Sequence, residues 1–241
     1  MSSAGWRSGG TMRNAYRNAL ILLALFSTAA IPGGVLSAED AMRGWKESTS
    51  SGLWSAGPER RAGFTDNGVS VEMTLPPGTG VAYSRSGRFV HDNAAIRLAT
   101  DNVNTSGNEY YPGETNFPVA VTFVFGDDSL KLGVKQRVWL FFRQLWNGFT
   151  PSGIRLTYAW GNRLPVGSMY RLWEEETVFV LAGPDEVGKA VHAVRRIRDD
   201  FRAAYGRPPK GPVTEVQLRA GRPSGEKGAA RSAATVRFPA D

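Results

Sequence analysis

The sequence predicts a mainly β protein, an antiparallel two-layer β-sandwich of the jelly-roll kind with one or two packed helices. Two apolar segments, residues 117–125 and 154–160, carry this prediction, because successive side chains of a strand point to opposite faces. One face of the first segment is apolar throughout, with Phe117, Val119, Val121, Phe123 and Phe125. The same holds for the second segment, with Ile154, Leu156, Tyr158 and Trp160. The strand-like segments do not alternate regularly with helices, which argues against a parallel α/β sheet.

Shorter alternating segments predict the remaining strands. The clearest is VSVEMTL at residues 69–75, where Ser70, Glu72 and Thr74 share the face opposite the apolar residues. Such alternation is typical of an antiparallel strand with one face in solvent. Further strands are predicted at residues 81–84, 94–99, 168–173, 177–182, 213–218 and 233–238. Residues 41–63 are predicted to wrap the domain, and residues 100–116 to form a long polar loop.

Two helices are predicted. In residues 130–147 apolar side chains recur at helical spacing, which favours a buried helix that stops at Gly148. A strand through residues 138–142 is the alternative. Residues 186–205 also fit a helix, because their apolar side chains recur every three or four positions. They are Val187, Val191, Val194, Ile197, Phe201 and Ala204. Gly206 suits a C-terminal cap, and the prolines soon after it cannot continue a helix.

The first 38 residues are predicted to be an export signal. Three arginines precede a 13-residue apolar run at residues 19–31, which is shorter than a membrane span of about 20 residues. Pro32 and two glycines follow, and cleavage is expected after Ala38 or one residue earlier. Residues 39–241 then form a single β-sandwich domain in the periplasm or outside the cell. The alternative is an uncleaved leader that acts as a membrane anchor, which is the one membrane contact expected.

Composition excludes several kinds of site. The chain has no cysteine, so disulfides, thiolate metal sites and thiol nucleophiles are excluded. It has two histidines, His91 in a turn and His192 on the predicted second helix, so neither a metal site nor a cofactor is expected. The formal net charge of +7 falls to +4 without the leader, because 26 basic and 22 acidic residues remain. This excess is scattered along the sequence, so nucleic acid is not expected as a partner.

Several motifs in the second half of the chain resemble a known family. They are VTFVFGDD, Leu156-Thr157-Tyr158-Ala159-Trp160, ETVFVLAG at residues 176–183, DDFRAAYGRPP at residues 199–209 and the strand at residues 213–218. Over residues 117–220 the sequence is similar to a bacterial exported family catalogued as domain of unknown function 3047. The Leu-x-Tyr-x-Trp and DDF-x-x-x-x-G motifs are the most specific part. The resemblance implies a sandwich-like fold and a location in the cell envelope, and it implies no known activity.

An acidic pair, Asp127 and Asp128, directly follows the first apolar strand, where catalytic and ligand-binding carboxylates often lie. Adjacent strand residues face opposite ways, so both acids reach one ligand only if the chain has already turned. A Gly-Asp-Asp turn before the predicted helix is the alternative explanation. Glu175 would complete a glycosidase pair, which needs two carboxylates about 5–10 Å apart. A solvated strand edge is the other explanation of the acidic run at residues 174–176.

Aromatic side chains in loops or near strand ends suggest a carbohydrate-binding surface. Tyr110 and Tyr111 lie in the long polar loop, and Trp160 and Trp173 lie near the ends of predicted strands. Exposed rings at such positions stack on sugar faces, whereas buried rings fill the core. The predicted ligand contacts are therefore Tyr110, Tyr111, Asp127, Asp128 and Trp160.

Three functions remain open at this point. The first is an exported, non-catalytic β-sandwich that binds carbohydrate or another envelope component, which predicts an open aromatic-lined cleft without paired acids. The second is a sandwich-fold glycosidase or lyase that uses Asp127 or Asp128 with Glu175, which predicts two carboxylates facing each other across a cleft. The third is a structural or assembly protein of the envelope, which predicts a contiguous apolar patch of several hundred Å² and no cleft.

Overall fold

Strands from both halves of the chain build two facing sheets. A computed structural model describes residues 44–51, 59–65, 68–89, 92–104, 117–126, 128, 153–223 and 225–238. Its strands, in chain order, are β1 Trp45–Ser51, β2 Glu59–Thr65, β3 Gly68–Leu75, β4 Thr79–Phe89, β5 Asn93–Thr100, β6 Ala120–Phe125, β7 Ile154–Trp160, β8 Met169–Trp173, β9 Glu176–Ala182, β10 Ala190–Arg196, β11 Val213–Arg222 and β12 Ala230–Arg237. A helix, α1, spans Ile197–Tyr205, and a 3₁₀ turn spans Pro184–Glu186. The chain divides into two compact units, and every described residue belongs to the second, Val35–Asp241.

The described strands form a seven-stranded sheet, in the order β1-β4-β11-β6-β7-β9-β8, and a five-stranded sheet, in the order β10-β5-β12-β3-β2. Among these strands, neighbours are antiparallel except β7 and β9, which are parallel. The chain passes repeatedly from one sheet to the other, as it does in a jelly roll. The predicted mainly antiparallel β-sandwich is confirmed, with one α-helix in the part of the chain that the structure describes.

The two segments that carry the fold prediction are neighbours in the seven-stranded sheet. β6 pairs with β7, with Phe123 opposite Leu156, and both strands are buried along their whole length. Their predicted apolar faces point into the core, where the rings of Phe123 and Tyr158 meet edge to face with centroids 5.7 Å apart. Phe117 is an exception. Because β6 begins only at Ala120, Phe117 packs in a separate small cluster with Ala120, Ala159 and Val178.

The five-stranded sheet has one face in the core and one face towards solvent. In β3 and β5 the inward side chains Val71, Leu75 and Leu98 are fully buried, whereas Glu72 and Arg97 are exposed. This is the predicted alternation. The hydrophobic effect favours it, because burying one such apolar side chain stabilises the fold by about 1.5–3 kcal/mol. The outward face of this sheet is therefore a surface of polar and small side chains.

The helix predicted over residues 186–205 is wrong in its first half. β10 is an edge strand paired with β5, and α1 begins only at Ile197. Val191 and Val194 fit helical spacing, whereas in a strand residues three apart lie on opposite faces. β-branched residues nevertheless favour strands, and the open edge of β5 offers hydrogen bonds. Val194 consequently points outward and is 73% exposed. The predicted end of the helix is confirmed, because Gly206 caps it in the left-handed conformation with φ 69°.

Two further differences concern the edge strands β1 and β2 and the interior strand β11. Residues 41–63 contain β1 and most of β2, which pair with β4 and β3 rather than only wrapping the domain. β11 extends four residues beyond the predicted strand, to Arg222. The predicted leader, residues 105–116 of the polar loop and the predicted helix at residues 130–147 lie outside the described residues. Within the described part, no helix has the length and apolar character needed to cross a membrane.

Candidate functional site

The predicted ligand contacts are only partly within the described chain. Tyr110, Tyr111 and Asp127 lie outside it. Trp160 ends β7, and its side chain is fully buried in the core between the sheets. Glu175 lies half-buried in the turn between β8 and β9, where its carbonyl accepts a hydrogen bond from the Arg155 amide at 2.7 Å. Within the described residues, the predicted contacts therefore do not come together on one surface.

Asp128 is fully buried, and both of its carboxylate oxygens accept hydrogen bonds. Arg207 donates through Nη1 to Oδ1 at 2.6 Å, and the amide of Lys210 donates to Oδ2 at 2.8 Å. The amide of Asp128 itself donates to the carbonyl of Phe125 at 3.1 Å. These bonds join the turn after β6 to the segment after α1, so Asp128 holds two parts of the fold together.

A second acid, which is half-buried, connects the two sheets. Asp200, in the first turn of α1, accepts a hydrogen bond from the hydroxyl of Tyr158 at 2.6 Å. Arg195, on β10, binds the same carboxylate through two nitrogens at 2.9 and 2.7 Å. Burial raises the pKa of Tyr158 well above its ordinary value, and the charge of Asp200 raises it further. The phenol therefore stays protonated and keeps its hydrogen bond at neutral pH, which ties β10 and α1 to the seven-stranded sheet.

The outer face of the seven-stranded sheet, which is turned away from the core, carries a charge network of Arg155, Thr157, Glu176 and Arg219. The register places Arg155 opposite Glu176 on the parallel pair β7 and β9. Oε1 of Glu176 accepts hydrogen bonds from Thr157 at 2.6 Å and from Nη2 of Arg219 at 2.7 Å. Arg155 is only 3% exposed and Glu176 only 5%, although neither points into the core. The network is thus a buried cluster of one acid and two bases.

Electrostatics keep the charge network ionised. Burial alone would raise the pKa of Glu176, but the charges of Arg219 and Arg155 and the hydrogen bond from Thr157 outweigh burial and lower it. Burial lowers the pKa of Arg155 to about 10, although the charge of Glu176 opposes this shift. A carboxyl that acts as a general acid needs a raised pKa instead. The arrangement is suited to holding β7, β9 and β11 together.

The outer face of the five-stranded sheet carries an open groove of about 590 Å³. Its floor includes Ala99 of β5 and Ala233 of β12, which are directly opposite each other in the register. The other groups that line it are mostly polar: Glu72, Met73, Thr74, Thr100, Asp101, Gly188, Arg231 and Ser232. We name this feature the alanine groove. Methyl side chains leave the floor low between longer neighbours, which creates the space.

Hydrogen bonds hold the rim of the alanine groove in place. The amide of Asp101 donates to the carbonyl of Arg231 at 3.0 Å, and Oδ1 of Asp101 accepts from the Arg231 amide at 2.8 Å. The hydroxyl of Thr100 lies 3.2 Å from that of Ser232, and the amide of Gly188 donates to the Thr100 carbonyl at 2.9 Å. The two bonds with Asp101 use only the backbone of Arg231. Its exposed guanidinium makes no ion pair with any described residue.

Further exposed cations lie on the sheet face that carries the groove, beyond its described lining. Arg97 and Arg237 lie on the same outer face as Arg231, and neither makes an ion pair with a residue in the described ranges. His192, predicted on a helix, instead lies on β10 opposite Arg97 and is exposed. The positive charge that is scattered along the sequence is therefore partly gathered on one face. Within the described residues, no group of His, Asp and Glu side chains is placed to hold a metal ion.

The sequence contained a signal for this face that the predictions did not use. The outward residues of β5 include Ala95, Arg97 and Ala99. Along β12 they read Arg231, Ala233, Thr235 and Arg237. Alternation predicts that each set shares a face. It does not predict that the two strands are neighbours, because they are more than 130 residues apart in the chain.

Comparisons with known proteins give a family and a similar structure. A model of the family described as "Protein of unknown function (DUF3047)" matches residues 93–221, which reach from β5 into β11. Among solved structures, the chain is similar to the catalytic domain of Humicola grisea Cel12A in complex with a soaked thio cellotetraose. The identity is 11% and the TM-score 0.40, over 81% of this chain and 92% of that one. No curated protein matches the sequence.

Proposed function

The chain belongs to the DUF3047 family of proteins of unknown function, and we propose that it is an exported, non-catalytic β-sandwich protein that binds a carbohydrate or a similar hydroxyl-rich envelope component. The ligand lies in the alanine groove. The observation that carries this proposal is the groove itself, with about 590 Å³ of space on an outer sheet face. Sites for small ligands usually measure about 300–1,000 Å³.

The chemistry of the groove suits a hydroxyl-rich ligand. Thr74 supplies a hydroxyl, Asp101 supplies carboxylate oxygens and Arg231 supplies a guanidinium, so both donors and acceptors line the space. The low floor at Ala99 and Ala233 lets a ring approach the sheet closely. The sequence-based hypothesis expected an aromatic-lined cleft without paired acids, but the described lining of the groove has no aromatic residue and includes two acids, Glu72 and Asp101. The ligand is therefore held by hydrogen bonds and charge rather than by stacking.

The acids of the described chain support binding rather than catalysis. The alternative of a glycosidase or lyase needs two carboxylates facing one cleft. Glu72 and Asp101 both line the groove, but Oδ1 of Asp101 accepts a hydrogen bond from the Arg231 amide, and neither acid is one that this alternative names. Asp128, one of its candidates, has both oxygens engaged by Arg207 and Lys210. Glu176 has a lowered pKa and is bound by Arg219, which is the opposite of a general acid poised to give up a proton.

The exposed apolar side chains support binding over assembly. The large ones among the described residues are Val166, Met169 and Val194. Met169 begins β8 at the edge of the seven-stranded sheet, with Val166 three residues before it, whereas Val194 lies on β10 of the five-stranded sheet. An assembly surface would need a contiguous apolar patch of several hundred Å². These three side chains, divided between two sheets, do not form one.

The envelope location rests on the predicted leader at residues 1–38. Expression in a bacterial host, followed by fractionation and intact-mass measurement, tests it directly. The expected product is periplasmic or secreted and lacks the leader up to Ala38 or Ser37. Recovery of the full-length chain from the cytoplasm would contradict export. A full-length chain in the membrane fraction would favour the retained anchor.

The binding proposal is tested by thermal shift and calorimetry of the purified protein against neutral and acidic oligosaccharides. Ala233→Trp fills the floor of the groove and is expected to weaken binding at least about tenfold, which corresponds to about 1.4 kcal/mol. Met169→Trp is the matched control, because it adds the same side chain at an exposed site on the other sheet. Equal loss in both variants, or binding by neither the wild type nor the control, would contradict the proposal.

A further inference from the structure

We infer that the ligand of the alanine groove is an anionic carbohydrate chain, bearing carboxylate or phosphate groups, and that Arg97, Arg231 and Arg237 bind its charges. This inference rests on the proposed function and narrows the class of ligand. It starts from a contrast among the arginines. Several of them bind acids within the chain, such as Arg195 to Asp200. The three on the groove face are exposed and make no such pair with a described residue.

The register places two of these cations close together. Arg97 on β5 lies opposite Thr235 on β12, and Arg237 follows Thr235 by two residues on the same face. Such diagonal neighbours on paired strands are about 7–8 Å apart. Arginine side chains are long enough to bring their guanidinium groups from this backbone separation to one anionic group, or to two adjacent groups of the same ligand.

Arg231 lies at the other end of the alanine floor. It precedes Thr235 by four residues on β12, which is about 14 Å along a strand that rises about 3.4 Å per residue. Ala233 lies between them, and Ala99 lies beside Ala233. A single small anion does not reach both ends of this distance. A chain that runs over the two alanines does, and its acidic groups then contact Arg97 and Arg237 at one end and Arg231 at the other.

The acids on this face limit where the charge of the ligand can lie. Glu72, on β3, is opposite Ala233 and is exposed, so it repels an anion on that side of the groove. The carboxylate of Asp101 accepts a hydrogen bond from the Arg231 amide, which ties it to the rim. The favourable path for an anionic chain therefore follows β5 and β12 and leaves the β3 side to neutral hydroxyl groups.

The lining favours an acidic sugar chain over a nucleic acid. Proteins that bind single-stranded nucleic acid usually combine a positive groove with aromatic side chains on which bases stack. The described lining of the alanine groove includes one cation, Arg231, and no aromatic residue, and Arg97 and Arg237 add positive charge further along the same face. Hydroxyl-bearing rings with acidic groups match both the polar rim and the cations. Single-stranded DNA is accordingly included as a probe, to test the preference for an acidic sugar over a nucleic acid.

The experiment measures binding of the purified full chain to four probes by calorimetry, at low and at high NaCl. The probes are oligogalacturonate for carboxylate, a phosphorylated mannan fragment for phosphate, a neutral cello-oligosaccharide and single-stranded DNA. At least one acidic sugar is expected to bind about tenfold more tightly than the neutral chain, and salt is expected to weaken it. The acidic sugar that binds more tightly shows whether the ligand carries carboxylate or phosphate groups.

Variants locate the contact. Arg97→Gln with Arg231→Gln is expected to weaken the acidic sugar about five- to tenfold, as the loss of two exposed charge contacts predicts. Arg202→Gln, at an exposed arginine on α1, is the control and leaves affinity unchanged. Neutral chains that bind as tightly as acidic ones, but lose binding in Ala233→Trp, would overturn this inference and leave the proposed function standing. Tighter binding of DNA than of either acidic sugar overturns both, as does a failure of every probe to bind.

Discussion

The two outer faces of the sandwich differ in whether their charged side chains are paired. On the seven-stranded sheet, Glu176 is buried between Arg155 and Arg219 and its charge is balanced within the chain. On the five-stranded sheet, Arg97 and Arg231 are exposed and are not balanced by an ion pair in the described part of the protein. Both faces are built from the outward positions of strands, so alternation alone does not distinguish them.

Burial accounts for the difference and indicates what each face does. A charge removed from water has to be paired and hydrogen-bonded, since an isolated buried charge costs several kcal/mol. A charge that stays in water keeps its hydration and remains free to bind an external partner. The charge network of the first face is therefore expected to affect stability, and the exposed arginines of the second face are expected to affect binding. The predictions below separate these two effects.

The largest effect is expected from Glu176→Ala. This change leaves Arg155 and Arg219 buried without their carboxylate, which costs about 3–5 kcal/mol of unfolding free energy. Urea denaturation measures the loss. Glu72→Ala removes an exposed acid from the other face and serves as the control, with a change within about 0.5 kcal/mol. Similar losses in the two variants would show that the faces do not differ as the structure indicates.

Asp128→Ala is expected to have the next largest effect, about 2–3 kcal/mol. It removes the acceptor for the Lys210 amide and the partner of Arg207, and a buried group that loses its hydrogen bond costs about 1–3 kcal/mol or more when charge is involved. Asp199→Ala, at a side chain that is 59% exposed, is the matched control. The measurement is again urea denaturation, combined with oligosaccharide binding. A stable Asp128→Ala protein that has lost ligand affinity would restore Asp128 as the predicted ligand contact.

A pH titration of stability sharpens the comparison further. The folded-state pKa of Glu176 lies below its ordinary value of 4.5, so the folded protein favours the charged form. The stability that this adds is fully present above pH 4.5 and is lost as pH falls through the folded-state pKa. The difference in unfolding free energy between the wild type and Glu176→Gln should therefore shrink below pH 4.5. A difference that stays constant down to pH 3 would mean that the network does not hold Glu176 ionised.

The strand form of the two central segments could be predicted because their pattern leaves little choice. Residues 117–125 and 154–160 are apolar on one face and are mostly small or β-branched on the other, which suits strands buried on both sides. β10 was missed because Val187, Val191 and Val194 follow helical spacing, and its strand form depends on the pairing with β5. β1 was missed because WKESTSS shows no apolar alternation, and its strand form depends on β4.

The candidate site was harder to predict than the fold, for a physical reason. Alternation shows that Arg97 points out of its strand and that Arg231 points out of another. Their placement around one groove depends on the pairing of β5 with β12, a contact between distant parts of the chain. The sequence-based choice of Trp160 and Asp128 used local position only, and local position does not report that both side chains are buried. The leader and the ligand contacts at Tyr110, Tyr111 and Asp127 remain predictions.

The smallest effect on stability is expected from Arg97→Gln, and this small effect is the sharpest test of the comparison. Arg97 is exposed and makes no ion pair with a described residue, so its loss should change the unfolding free energy by less than about 0.5 kcal/mol. Binding of an acidic oligosaccharide should nevertheless weaken about two- to fivefold. The change keeps hydrogen-bonding groups and removes only the charge, so the weakening should disappear at high salt. A destabilisation above 1 kcal/mol would place Arg97 among the structural charges.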